Sequence, residues 1–267
     1  MSFSISGKTA IVTGAANGIG LAVARQFADR GANVMCADMD EKRLANELGD
    51  VVEDGNIRYF AGDLRQRLTI ANLISATIDA FDRVDILVNA SRQVMITDAL
   101  DPEDDTVDIL LEQNLMTALR LSQQVARRMI KQAEGQDEAQ SIGSIINLSS
   151  IAARQTRPEL LGYSIASAGL EQMTRSMALA LSPHRIRVNA VAFGSVMSAS
   201  LQASLGDHPD WRDEIEGQTP LHRIAAPTEL VDAVQFLASD GSGFVTGEIM
   251  TVDGGRSLLD PVGAPAH

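Results

Sequence analysis

A glycine-rich segment near the amino terminus is the first part of the sequence that could do chemistry. Residues 14–20 read GAANGIG, directly after an apolar run over residues 9–13 and directly before a helical pattern. Glycines allow a tight turn and let backbone N–H groups approach a pyrophosphate, to which the next helix adds its positive dipole end. The segment therefore predicts a dinucleotide-binding turn. The residues expected to face the phosphates are Gly14, Asn17, Gly18 and Ile19.

Two carboxylates stand where they could contact the rest of such a ligand. Asp38 follows the apolar run over residues 33–37, eighteen residues after Gly20. A carboxylate there accepts hydrogen bonds from the adenosine ribose and repels a 2′-phosphate, and residues 39–41 contain no arginine, so NAD is expected rather than NADP. The alternative is that Asp38 ends its strand and caps the next helix. Asp63 leaves two interpretations open, an adenine contact or a helix cap.

Short apolar runs alternate with amphipathic helical patterns, which is typical of βαβ units. The predicted strands are 9–13, 33–37, 57–61, 86–89, 144–148, 187–192 and 248–252, and the predicted helices are 20–30, 68–81, 106–131, 163–181 and 228–237. Residues 198–220 interrupt the alternation and are either a lid or substrate loop or a surface excursion. The pattern predicts one Rossmann-type domain over residues 1–267, a doubly wound α/β fold. Its seven-stranded, mainly parallel sheet would carry helices on both faces.

Composition excludes several classes of function. The 267 residues are 45% hydrophobic but only 4% aromatic, so the core should be aliphatic, and the net charge of −13 argues against a nucleic-acid surface. Cys36 is the single cysteine and is expected to be a core residue rather than a reactive thiol. Four scattered histidines make a zinc site unexpected. Without a signal-peptide pattern or a membrane-length apolar stretch, a cytoplasmic location is expected.

The order and spacing of several motifs resemble the short-chain dehydrogenase/reductase family, and the resemblance covers almost the whole chain. The motifs are TGAANGIG at 13–20, GDL at 62–64, Asn114, NLSS at 147–150, Tyr163, RVNAVA at 187–192 and TGEIMTVDGG at 246–255. The resemblance implies NAD(P)(H)-linked interconversion of a small-molecule alcohol and a carbonyl. It also implies a homotetramer or a homodimer, with no membrane or nucleic-acid partner.

The resemblance assigns roles to individual residues. Ser150, thirteen residues before Tyr163, would orient the substrate oxygen, Tyr163 would be the general acid/base, and Asn114 would support a proton-relay water. The residues it implies as cofactor contacts are Gly14, Asn17, Gly18, Ile19, Asp38, Met39, Asp63, Leu64, Asn89, Ala90, Gly194, Val196 and Ser198.

Three departures from the family's motifs fall around the nicotinamide half of the implied site. The family's Tyr-x-x-x-Lys ends here in Ser167, although that lysine normally binds the nicotinamide ribose and lowers the pKa of the tyrosine, which is otherwise near ~10. The family's Asn-Asn-Ala-Gly ends in Arg92, and its Pro-Gly turn begins with Phe193. The adenosine half keeps the family's residues.

Two functions of different classes follow from these departures. The first is an NAD-dependent oxidoreductase with a rebuilt site, in which Arg92, Arg154 or Arg157 supplies the missing charge. The second is a non-catalytic dinucleotide-binding or scaffold protein on the same fold. Other cofactor-dependent chemistry, such as epimerisation or dehydration, is the third alternative. The tail over residues 256–267 either reaches across an interface or stays loose.

Overall fold

A seven-stranded parallel sheet forms the centre of the computed structural model, which describes residues 3–49, 55–135 and 141–260. The strands are β1 (Thr9–Thr13), β2 (Asn33–Asp38), β3 (Ile57–Ala61), β4 (Ile86–Asn89), β5 (Gly143–Ser150), β6 (Ile186–Phe193) and β7 (Ile249–Val252). They lie in the order β3-β2-β1-β4-β5-β6-β7, and each neighbouring pair is parallel. The predicted doubly wound α/β fold is confirmed.

The strand order changes direction between β1 and β4, and this point positions the candidate site. β2 and β3 extend the sheet to one side of β1, whereas β4 to β7 extend it to the other. The connections that follow β1 and β4 lead to helices on opposite faces of the sheet. The crevice at this point of the carboxyl edge is where open α/β sheets bind ligands. β5 and β6 are longer than predicted, so that Ser150 and Phe193 end them as register partners.

Helices cover both faces of the sheet. They are α1 (Gly18–Asp29), α2 (Glu41–Leu48), α3 (Arg67–Phe81), α4 (Thr106–Leu110), α5 (Thr117–Gln132), α6 (Leu161–Leu181), α7 (Ala199–Asp207), α8 (Asp210–Gly217) and α9 (Pro227–Ala238). One buried cluster joins α1, α2 and α9 to the sheet, and a second joins α3, α5 and α6 to the opposite face. Val12 and Ile11 belong to different clusters because successive strand side chains point to opposite faces.

The structure corrects two predicted elements. The helix predicted over 106–131 is interrupted by a π-helical turn, Leu111–Met116, in which the Thr117 hydroxyl donates to the Glu112 carbonyl five residues earlier at 2.9 Å. Such turns are rare insertions within α-helices, and the apolar pattern was interpreted as one continuous helix. Residues 198–220 contain α7 and α8, so that their role as a lid, a substrate loop or a surface excursion stays a prediction, and α2 was not predicted.

Two local contacts mark the start of α7 and its junction with α8. Ser198 caps α7 by accepting a hydrogen bond from the Leu201 N–H at 3.3 Å, and the rings of His208 and Trp211 stack at 4.1 Å where α7 meets α8.

The predicted tail begins with a 3₁₀ turn, Arg256–Leu258, and its residues 261–267 lie outside the described residues. Among the described helices, none has the length and apolar character that a membrane span requires.

Candidate active site

The turn between β1 and α1 is built on glycines that no larger residue could replace. Gly14 has φ +66°, and a Cβ there would lie 2.8 Å from the Cα of Ser91 and 2.9 Å from the Ala90 carbonyl oxygen. A Cβ on Gly20 would lie 2.2 Å from the carbonyl oxygen of Gly14. These contacts bring the turn against the segment that follows β4, so that both loops border one crevice.

The N-terminus of α1 opens onto this crevice. α1 begins at Gly18, and the side chain of Asn17 makes no capping hydrogen bond. A Cβ on Gly18 would have no atom within 4 Å, so the glycine leaves open space in front of the first helical turn. N–H groups of a first turn need external acceptors, and a pyrophosphate supplies them. The turn therefore fits the phosphates of a dinucleotide.

A cleft of about 510 Å³ lies at this carboxyl edge of the sheet. Ten residues that the sequence predicted as cofactor contacts line it: Gly14, Asn17, Gly18, Ile19, Asp38, Met39, Asp63, Leu64, Ala90 and Ser198. Lining residues that the prediction omitted include Ser91, Gln93, Val94, Gln113 and Leu148. Four of these five adjoin the predicted positions Ala90 or Asn114 or follow them closely, and Leu148 lies within the NLSS motif at 147–150.

One end of the cleft is acidic. Asp38 ends β2, and its two carboxylate oxygens accept hydrogen bonds from the N–H groups of Ala16 and Asp40, each at 3.1 Å. The cap of α2 is Asp40, which accepts from the Arg43 N–H at 3.0 Å. The alternative in which Asp38 caps the next helix is therefore wrong, and its carboxylate is held at the cleft wall.

Asp63 lines the same end of the cleft. Arg65 donates to it through both the side chain, at 2.8–3.1 Å, and the backbone N–H, at 3.0 Å. These hydrogen bonds from Arg65 hold the pKa of the Asp63 carboxyl below its ordinary value. The residue preceding α3 is Gln66, so Asp63 is not the cap of that helix. The adenine contact remains a prediction.

At the other end of the cleft, Arg92 turns inward to Tyr163. Its Nη1 donates a hydrogen bond to the Tyr163 hydroxyl at 2.7 Å, and its Cζ lies 4.4 Å from the centroid of the Phe193 ring. Tyr163 itself is buried among Leu110 and Ala166. The cation, the phenol and the aromatic ring thus form one compact group.

Hydrogen bonds hold the backbone that precedes Arg92. The Thr13 hydroxyl, at the end of β1, accepts from the N–H groups of Ala90 and Ser91, both at 3.0 Å. The Ser91 hydroxyl in turn accepts from the Gln113 amide at 3.2 Å. These contacts tie the loop after β4 to two neighbouring elements.

Asn114 holds the backbone that follows Arg92. Its Oδ1 accepts from the Gln93 N–H and its Nδ2 donates to the Gln93 carbonyl, both at 2.8 Å. Asn114 lies in the π-helical turn, Leu111–Met116, and is buried. Because the residues on both sides of Arg92 are fixed, the direction of its side chain is constrained before any ligand arrives.

Asn89 lies beneath the cleft rather than in its lining. Its amide donates to the Ser122 hydroxyl at 3.0 Å and to the Asn147 Oδ1 at 2.8 Å, and the Asn147 amide donates to Thr174 at 2.8 Å. All four side chains are buried. This network joins β4, which ends in Asn89, and β5 to α5 and to α6, which carries Tyr163.

Six predicted site residues lie outside the lining of the 510 Å³ cleft: Asn89, Asn114, Ser150, Tyr163, Gly194 and Val196. The Ser150 hydroxyl accepts from the Ala152 N–H at 3.1 Å. Gly194 packs so closely on Ile151 that a Cβ would lie 2.3 Å from that side chain. Val196 is buried in the core. Arg92 borders the cleft, whereas its partner Tyr163 does not.

Ser167 lies one helical turn after Tyr163 on α6. It is buried and borders a cavity of about 10 Å³ together with Arg92, Asn114 and Tyr163. The three lysines of the sequence lie on other elements: Lys8 pairs with Asp240, Lys42 is on α2, and Lys131 is in the last turn of α5.

The other two candidate arginines are paired elsewhere. Arg154 forms an ion pair with the buried Glu171 at 3.3 Å and donates to the Thr251 hydroxyl at 3.0 Å. Arg157 pairs with Glu214 at 3.4 Å. Of the three arginines that the sequence left open, the one that contacts the phenol is therefore Arg92.

Comparisons with known proteins agree on one family. A family model described as "Enoyl-(Acyl carrier protein) reductase" matches residues 14–257. An L-rhamnose 1-dehydrogenase (NAD(P)(+)) from a Sphingomonas species is 32% identical over 253 residues, which is 94% of this chain and 96% of the relative.

Solved structures are similar over nearly the whole chain. A 7α-hydroxysteroid dehydrogenase complexed with NADH and 7-oxo glycochenodeoxycholic acid superposes with a TM-score of 0.86 and 28% identity, covering 95% of this chain and 96% of the other. A short-chain type dehydrogenase/reductase from Mycobacterium marinum gives a TM-score of 0.85 and 28% identity, with 96% and 98% covered.

Proposed function

The chain belongs to the short-chain dehydrogenase/reductase family, and from that membership we propose that it is an NAD(H)-dependent oxidoreductase that interconverts a secondary alcohol and a carbonyl. The observation that carries the proposal is the 2.7 Å hydrogen bond from Arg92 to the Tyr163 hydroxyl. The bond places the permanently charged guanidinium of Arg92 next to the Tyr163 phenol. Residue 167, one turn further along α6, is a serine and supplies no charge.

The cleft fits a nicotinamide dinucleotide. The open N-terminus of α1 and the space in front of Gly18 suit a pyrophosphate, and the carboxylate of Asp38 suits ribose hydroxyls. Among the described residues that line the cleft, the charged ones are Asp38, Asp63 and Arg92. A 2′-phosphate at Asp38 would therefore meet a like charge, which supports NAD over NADP.

Tyr163 would move the proton of the reaction. Bound NAD(H) would supply or accept the hydride. During reduction, Tyr163 donates its hydroxyl proton to the substrate oxygen, and the guanidinium of Arg92 stabilises the phenolate that remains. During oxidation, the same phenolate accepts the proton of the alcohol. Ser150, at the end of β5, is assigned to orient the substrate oxygen, and Asn114 keeps Arg92 in place through Gln93.

A second function is favoured by where the cleft ends. Arg92 spans from the loop after β4 to Tyr163 and Phe193, and neither Ser150 nor Gly194 lines the cleft beyond it. If the guanidinium remains in this position, it closes the nicotinamide end. The chain would then bind a dinucleotide without using it.

One experiment separates the two functions. The purified protein is titrated with NADH by fluorescence, then assayed with NADH and a panel of ketones, and with NAD and a panel of secondary alcohols. We expect binding together with turnover of at least one substrate. A Tyr163→Phe variant is the control, which should bind NADH equally well and lose turnover. NADH binding without turnover on either panel would favour the non-catalytic function and overturn the oxidoreductase.

A further inference from the structure

We propose that Arg92 also binds the substrate, and that the substrate carries a carboxylate on the carbon next to the reacting carbonyl: a 2-oxo acid or the corresponding 2-hydroxy acid. This inference rests on the proposed oxidoreductase function and names the substrate class of the same site. It starts from the hydrogen-bonding capacity of one side chain.

Arg92 has donors that the protein does not use. A guanidinium presents five N–H groups in one plane. In the described part of the chain, its one hydrogen bond is from Nη1 to Tyr163, and no carboxylate forms an ion pair with it. Arg154 and Arg157, by contrast, each pair with a glutamate. The Nε and Nη2 edges of Arg92 are therefore available to an acceptor that enters the cleft.

The contact with Phe193 provides no hydrogen-bond acceptor for those edges. The Cζ of Arg92 lies 4.4 Å from the ring centroid, a cation–π contact with the ring face. Hydrogen bonds from arginine lie in the guanidinium plane, and a carboxylate can accept two of them side by side. The free donors of Arg92 therefore suit bidentate recognition of a carboxylate.

The charge of Arg92 favours an anionic group at this end of the cleft. Asp38 and Asp63 line the dinucleotide end, and Arg92 is the cation among the described residues that line the cleft. The whole chain carries a formal net charge of −13. An anionic substrate is therefore attracted to the neighbourhood of Tyr163 by a local charge that the rest of the protein does not provide.

The hydrogen bond between Arg92 and Tyr163 limits how far the carboxylate can be from the reacting carbon. The substrate oxygen must reach the Tyr163 hydroxyl, and the carboxylate must reach the guanidinium that is itself hydrogen-bonded to that hydroxyl at 2.7 Å. A carboxylate on the adjacent carbon satisfies both contacts at once. A carboxylate at the far end of a long chain would lie away from this group.

The reaction balances with the groups named. In reduction, the carbonyl carbon gains a hydride from NADH, the C=O π bond breaks, and the oxygen takes the hydroxyl proton of Tyr163. The products are the 2-hydroxy acid, NAD⁺ and a phenolate that regains its proton from water. The carboxylate remains ionised on Arg92 throughout.

Binding of unreactive probes tests the inference apart from turnover. Oxamate carries a carboxylate next to a carbonyl, and oxamide is its neutral counterpart. Calorimetric titration of the NADH-loaded protein should show oxamate binding at least ~10-fold tighter than oxamide, which corresponds to about 1.4 kcal/mol. Arg92→Gln should abolish the preference, and Arg25→Gln, which removes an exposed arginine of α1, should retain it. Equal binding of the two probes to the wild-type protein would overturn the inference.

Turnover of matched substrates separates this inference from the proposed function. Phenylglyoxylate and its methyl ester share the reacting carbonyl and the phenyl group, but the acid carries the charge and the ester, which is neutral and intrinsically the more electrophilic, does not. A preference for the acid in kcat/KM of at least ~10-fold, lost in Arg92→Gln, supports both proposals. Equal turnover of acid and ester contradicts the carboxylate site but leaves the oxidoreductase intact. An oxamate preference without turnover of either substrate supports the carboxylate site and contradicts the oxidoreductase.

Discussion

The Arg92 guanidinium lies over the ring of Phe193, with Cζ 4.4 Å from the ring centroid. The two residues are 101 positions apart in sequence, and both were interpreted as departures from the motifs that the resemblance implies. The guanidinium thus contacts the ring of Phe193 and also donates a hydrogen bond to the Tyr163 hydroxyl. Two departures that look unrelated in the sequence therefore form one structural unit.

Arg92→Met removes the charge and retains much of the apolar stem. A hydrogen bond to a charged group contributes about 1.5–3 kcal/mol, so we expect kcat for alcohol oxidation to fall roughly 10- to 100-fold. NAD affinity, measured by fluorescence titration, should change little. Arg92→Lys is the matched variant: it keeps a cation, so its kcat should fall less than that of Arg92→Met. Undiminished oxidation by Arg92→Met would show that the guanidinium does not support the phenolate.

Phe193→Leu removes the ring but keeps an apolar residue at the end of β6. A cation–π contact is worth about 0.5–2 kcal/mol, which predicts a loss in kcat of roughly 2- to 30-fold. Because the ring acts through the guanidinium, the double variant with Arg92→Met should be no worse than Arg92→Met alone. Additive losses would instead mean that Phe193 acts independently.

Ser167→Lys introduces the lysine that the resemblance implies at this position. The cavity beside Ser167 is only about 10 Å³ and already borders Arg92, so the lysine should lower Tm and should not raise the rate of oxidation. The variant Arg92→Gly removes both the volume and the charge of the arginine side chain. Adding Ser167→Lys to this variant should then raise the rate of alcohol oxidation above that of Arg92→Gly alone. An increase of the same size in both backgrounds would contradict a shared role.

Asp38→Asn removes the carboxylate charge at the end of β2 without changing its size. Hydrogen bonds to a charged acceptor contribute about 1.5–3 kcal/mol, so NADH should bind roughly 10- to 100-fold more weakly. NADPH should gain relative to NADH because the like charge is gone. The ratio of the two dissociation constants is the measurement. Asp40→Asn, at the cap of α2, is the control that should leave this ratio unchanged.

Cys36 gives a pH-dependent prediction. Burial raises the pKa of its thiol from 9.0 to about 12. The folded-state pKa lies above the unfolded value, so this group's contribution to the free energy of unfolding is complete below pH 9 and is lost as the pH rises toward 12. A thiol reagent at pH 8 should label the native protein only through unfolding, at a rate that NADH slows. Rapid labelling of the native protein would contradict the buried position.

The adenosine half of the candidate site could be predicted because its signals are local. The glycines of residues 14–20 and the carboxylate of Asp38 each follow a strand directly, so their place depends on the nearest turn alone. The strands themselves were predicted for the same reason, since an apolar run buried on both faces is readable over five residues. The helices α7 and α8 are short and contain no such continuous apolar run.

The nicotinamide half depends on contacts between distant segments. The sequence left Arg92, Arg154 and Arg157 as equal candidates, because the choice between them depends on tertiary anchors that no spacing reveals. The contacts that decide it are the hydrogen bonds that Thr13 and Asn114 make to the backbone on either side of Arg92. The pairing of Arg154 with a buried glutamate is equally invisible in the linear pattern.

The hydrogen bond between Arg92 and Tyr163 also changes what the reaction depends on. A tyrosine and a lysine one turn apart on a single helix keep their separation as long as that helix exists, whereas this contact joins residues 71 positions apart on separate elements. Its persistence requires the loop after β4 to remain docked on α6. Partial detachment of that loop would silence catalysis while the sheet stays folded. On warming, loss of activity should therefore precede loss of secondary structure.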